Sequence, residues 1–156
     1  MSALIIRPLR GRIRILGLRA PRGDEPPNRQ MFKTAADAAI RPTWMSAPDG
    51  QPGWHGYWTI SRTHLNVVAE AIAIRDGEVT VEMHYSDNEQ CDSRCQDATG
   101  DDCTCSCEGK HHGEGQYASW KEVGATTLVR STGEKTITRV LTRKKAQKQR
   151  LRRPLR

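Results

Sequence analysis

All five cysteines of the chain fall in one short segment that ends in two histidines: Cys91, Cys95, Cys103, Cys105, Cys107, His111 and His112. The spacing is C-x3-C-x7-C-x-C-x-C-x3-H-H, and it limits the possible folds more than any other feature of the chain. Zinc takes four soft or borderline donors at about 2.0 to 2.3 Å, which a compact run of thiolates closed by an imidazole supplies locally. Cys91 and Cys95 are one helical turn apart and share a face in a helix. Cys103, Cys105 and Cys107 share a face in an extended segment. Gly100 and Gly109 let the chain fold back between these parts. His112 precedes Gly113, where the backbone turns, and is favoured over His111, which is left to solvent or to an outer contact. The spacing therefore predicts one Zn(2+) held by four of Cys91, Cys95, Cys103, Cys105, Cys107 and His112, and it does not choose which four. Another metal, iron–sulfur included, and disulfides or free thiols are the rival uses of the cysteines; an odd count and a reducing compartment argue against disulfides.

A metal staple also suits the composition. Of 156 residues only 36% are hydrophobic and 5% aromatic, so the chain is expected to form one domain with a modest core. No stretch approaches the roughly 18 apolar residues of a membrane span, and the apolar start at Ala3 to Ile6 is broken by Arg7 and Pro8. The expectation is a soluble, cytoplasmic protein with no membrane partner.

Periodicity predicts the elements. Arg12 to Leu16 alternates as a strand with Ile13 and Ile15 inward, and residues 21–27 form a proline-rich break. Asn28 is placed to cap a helix from about Gln30 to Ala39, residues 45–55 read as a loop, and Gly56 to Ile60 as a short strand. Leu65, Val68 and Ile72 mark one face of a helix capped by Ser61 or Thr63 and ended by Asp76-Gly77. Val79, Val81, Met83 and Tyr85 alternate with polar residues as a half-buried strand. Thr126 to Arg130 and Lys135 to Thr142 read as a hairpin. The predicted fold is α+β: a small mixed domain with a Cys/His zinc-binding loop and a C-terminal β-hairpin. Its divisions are a basic N-terminal strand and proline-rich linker over 1–29, an α+β domain over 30–142 containing the zinc box at 91–112, and a basic tail over 143–156.

Charge is distributed unevenly. The formal charge is +7. The first 22 residues carry Arg7, Arg10, Arg12, Arg14, Arg19 and Arg22 with no acid, and residues 139–156 carry nine cations with no acid, whereas the Cys/His segment is acidic. Runs of arginine and lysine bind phosphates through charge and counterion release. Arg143, Lys144, Lys145, Lys148, Arg150, Arg152 and Arg153 are therefore the expected nucleic-acid contacts. Trp54, in a Gly-Pro loop, is the expected stacking residue. Trp44 and Trp58 read as core aromatics in a chain with a single phenylalanine.

Arg41-Pro42-Thr43-Trp44, Gly56-Tyr57-Trp58-Thr59-Ile60 and His64-Leu65-Asn66-Val67-Val68 together resemble the small HARP-type (HepA-related protein) module, over about residues 30–73. That resemblance implies helix and aromatic-strand elements and recognition of nucleic-acid structures. The ending Cys103-Thr104-Cys105 with Cys107 and His112 is similar to that of SWIM-type zinc fingers. The whole segment 91–113 resembles one in uncharacterised small proteins of actinobacteria and their phages. The function expected is a zinc-stabilised, small nucleic-acid-binding accessory or regulatory protein, for DNA or RNA, of a phage or bacterial genome. The alternative is an adaptor that binds a host protein. No catalytic residues are assigned, because thiolate-rich zinc sites are mostly filled and structural, and no nucleophile, phosphate loop or carboxylate pair stands out.

Overall fold

The computed structural model describes residues 2–18, 27–36, 40–46, 56–86, 120–128 and 134–152. The described residues hold seven strands: β1 (Ala3–Arg7), β2 (Ile13–Leu16), β3 (Thr43–Ser46), β4 (Gly56–Ile60), β5 (Glu78–Ser86), β6 (Lys121–Leu128) and β7 (Glu134–Thr142). They form one sheet in the order β3-β4-β2-β1-β5-β7-β6. Only β1 and β5 pair in parallel, with Ile5 opposite Val81; every other neighbouring pair is antiparallel. Among the described residues, three helices accompany the sheet: α1 (Pro27–Ala35), α2 (Leu65–Asp76), entered through a 3-10 turn at Arg62–His64, and α3 (Arg143–Arg152).

Because strand side chains alternate, register places one set on each face. Ile5, Ile13, Ile15, Trp58, Ile60, Val79, Val81, Met83, Tyr85, Ile137 and Leu141 are buried in one core together with Phe32 of α1, Leu65, Val68 and Ile72 of α2, and Ala146 of α3. The helices thus cover this face. Trp58 is fully buried between Phe32 and Trp44, with ring centroids 5.8 and 5.5 Å away in edge-on geometry. Gly56 allows that packing: a Cβ there would lie 2.5 Å from the Met45 carbonyl oxygen and 2.6 Å from the Trp44 ring. Gly77 ends α2 with φ 104°, a left-handed conformation that L side chains resist.

Several expectations change in three dimensions. The N-terminal division expected over 1–29 contributes two strands to the sheet: β1 lies in its middle, and Ile5 belongs to the core. Arg62 fastens the turn after β1 by donating to the carbonyls of Pro8 and Leu9 at 2.9 and 2.8 Å. Asn28 lies inside the first turn of α1 and accepts a bond from Arg75 of α2 at 2.8 Å, so it joins two helices where a cap was expected. Arg75 also donates to Asp76 at 2.6 Å, which raises the guanidinium pKa above its ordinary value. His64 precedes α2 without a side-chain cap bond, so neither Ser61 nor Thr63 caps that helix. Met45 and Ser46, expected in a loop, belong to the edge strand Thr43–Ser46. β6 begins at Lys121 and pairs with β7 from Lys121 opposite Val140 to Leu128 opposite Glu134, and the sheet dominates the domain.

Candidate nucleic-acid interface

β7 runs directly into α3, so the residues read as a basic tail begin as a helix against the body of the protein. Three of its residues fix it. The Arg143 backbone N–H donates to the Gly77 carbonyl at 2.7 Å. Its guanidinium donates to the carbonyls of Ile74 and Arg75 at 2.8 and 3.2 Å, placing positive charge where the last turn of α2 leaves oxygens unpaired. Ala146 is fully buried, and its small side chain lets α3 lie close to α2. Farther along, Gln149 accepts a bond from the Trp120 indole at 3.3 Å.

The other side of α3 is cationic. Lys144, Lys145, Lys148, Arg150 and Arg152 are exposed, and the ten-residue helix contains no acid. Lys144, Lys148 and Arg152 follow at i, i+4 and i+8, and Lys145 joins them at i+3 and i+7 spacings, so four charges form one stripe. Ten residues rise about 15 Å, so the stripe is a compact, rigid row rather than a diffuse arm. Such a row opposes its own helix: each like-charge i, i+4 pair costs about 0.2–0.5 kcal/mol, and three cations in the first turn oppose the helix dipole. The contacts of Arg143, Ala146 and Gln149 hold the helix against this repulsion. Leu151 is 87% exposed at the stripe's edge.

Arg143 itself differs from the other predicted contacts, since its guanidinium is occupied at the end of α2. Two cations counted with the basic ends are interior. Arg7 is fully buried, with its guanidinium 4.5 Å from the Tyr85 ring centroid and donating to the His84 carbonyl at 3.1 Å. Arg139, 6% exposed, donates to the Tyr85 hydroxyl at 2.9 Å and approaches the Met83 sulfur at 3.1 Å. Of the other N-terminal arginines, Arg10, Arg12 and Arg14 are exposed, while Arg19 and Arg22 lie outside the described residues.

Trp54, Arg153 and the whole segment Cys91, Cys95, Cys103, Cys105, Cys107, His111 and His112 also lie outside the described residues. Among the described residues, no group of three His, Cys, Asp or Glu side chains converges in the manner of a metal site. No described helix is long and apolar enough to cross a membrane.

The sequence reading missed one pairing. The exposed Arg14 guanidinium lies 5.7 Å from the ring centroid of the half-buried Tyr57. The alternations Arg12-Ile13-Arg14-Ile15 and Gly56-Tyr57-Trp58 carry its signal, because inward Ile13, Ile15 and Trp58 force Arg14 and Tyr57 to the opposite face. Comparison with known proteins adds no identity: no protein-family model, curated protein or solved structure matches the chain.

Proposed function

We propose that the chain is a small nucleic-acid-binding accessory or regulatory protein whose fold a structural zinc stabilises. The observation that carries this reading is α3: six cations and no acid in ten residues, on a helix pinned to the body by Arg143, Ala146 and Gln149. A polyanion relieves the helix's self-repulsion while gaining the entropy of released counterions. The zinc is inferred from the spacing of Cys91, Cys95, Cys103, Cys105, Cys107 and His112 and from the low hydrophobic content.

Two measurements test the reading. Affinity for an oligonucleotide should fall linearly as log K against log[salt]; affinity indifferent to salt, or absent at low salt, contradicts nucleic-acid binding. Purified protein should carry about one zinc per chain, and chelation should unfold it, since structural zinc contributes on the order of 10 kcal/mol to folding. Protein that is metal-free yet stably folded contradicts the zinc.

A further inference from the structure

The sheet has one face under helices, and the described helices leave its other face open. Register places Leu4, Ile6, Arg14, Leu16, Tyr57 and Thr59 there, all half-buried except the exposed Arg14. β2, β3 and β4 contain no acid, and cations gather at this end of the sheet. Arg12, just before β2, donates to the Thr59 carbonyl at 3.0 Å and to the carbonyl of the exposed Arg41. Among the described residues, the nearest acid on the open face by register is Glu82 of β5, beyond β1, with its carboxylate 3.1 Å from His84. The β2–β4 region therefore presents the half-buried Tyr57 ring beside the exposed Arg12 and Arg14, on strands that carry no carboxylate.

We propose that this open face, centred on Tyr57 with Arg12 and Arg14, binds a single-stranded nucleic acid. The inference rests on the nucleic-acid reading above and names the strand type and a second site. A single strand splays its bases, so one can stack on Tyr57 while Arg14 and Arg12 meet the flanking phosphates. Leu4, Ile6 and Leu16 provide an apolar floor for the sugars and base edges. A duplex fits this surface poorly: its bases are stacked inward, and its major groove admits a helix or a two-stranded ribbon rather than a broad sheet face. The positive charge and absence of acids on β2, β3 and β4 select a polyanion over an acidic-surfaced sheet or a neutral apolar partner.

The test is fluorescence anisotropy on the full chain, with a short labelled oligothymidylate and a blunt duplex of equal length. Tyr57→Leu keeps an apolar strand residue but removes the π-face, and should weaken single-strand binding about 10-fold or more while leaving duplex affinity unchanged. Tyr57→Phe should bind as the parent does. Arg14→Gln, at an exposed side chain, should weaken single-strand binding and reduce its salt slope by about 0.7, which tests the site even if Tyr57→Leu folds poorly. Neutralising Lys144, Lys145 and Lys148 should weaken both ligands. If that variant weakens both ligands while Tyr57→Leu and Arg14→Gln match the parent, the sheet site is overturned and α3 stands, leaving the face to a protein partner. If the single-strand losses occur at Tyr57 and Arg14 but the lysine variant binds normally, the sheet site stands and the α3 interface fails. No binding of either ligand at low salt overturns both.

Discussion

Tyr57 and Trp58 are adjacent in β4 yet belong to different parts of the protein. Trp58 is fully buried between two aromatic rings on the helix-covered face, whereas Tyr57 is half-exposed beside Arg14 on the open one. The cations divide in a similar way. Arg7 and Arg139 are buried around Tyr85, while Lys144, Lys145, Lys148 and Arg152 stand outward on α3. Charge counted along a sequence is therefore not charge available to a ligand. A strand's alternation or a helix's buried stripe decides which cations build the fold and which remain for binding.

The contrast breaks most visibly at Trp58. Trp58→Ala should destabilise the domain by about 3–5 kcal/mol, as loss of a buried aromatic does, read by thermal or chemical denaturation. A loss near zero would mean that the covered face is not the core. Arg139→Gln comes next: removing the donor to the Tyr85 hydroxyl should cost about 1–3 kcal/mol, while the salt dependence of oligonucleotide binding by the folded protein stays unchanged. The smallest stability effect has the opposite sign. Neutralising Lys144, Lys145 and Lys148 to Gln removes like-charge neighbours and should raise stability by a few tenths of a kcal/mol, measured as a higher denaturation midpoint.

Legibility in the sequence followed the same division. β5 was plain, because Val79, Val81, Met83 and Tyr85 alternate with polar residues, and all four are buried. β2 was plain for the same reason, as was the buried stripe Leu65, Val68 and Ile72 of α2. β1 was hidden: Ala3-Leu4-Ile5-Ile6 has no alternation, since a strand in mid-sheet places apolar groups on both faces. α3 was hidden more deeply. Its only fully buried side chain is Ala146, so no apolar period marks a helix among repelling cations, and the contacts that hold it come from Gly77, Ile74 and Trp120, distant in sequence. Of the proposed interface, the exposed cations were legible by composition, but the structural use of Arg143 and the pairing of Arg14 with Tyr57 needed the fold. The Cys/His segment carries its own signal in ligand spacing and lies outside the described residues.

The central claim is that the outward cations of α3, and not the inward ones, neutralise nucleic-acid phosphates. The most direct measurement is the slope of log K against log[salt] for a duplex oligonucleotide, compared between the parent and the Lys144→Gln, Lys145→Gln, Lys148→Gln triple variant. At about 0.9 per cation removed, the account predicts a slope shallower by about two to three, with weaker binding at low salt. An unchanged slope in a folded triple variant would contradict it.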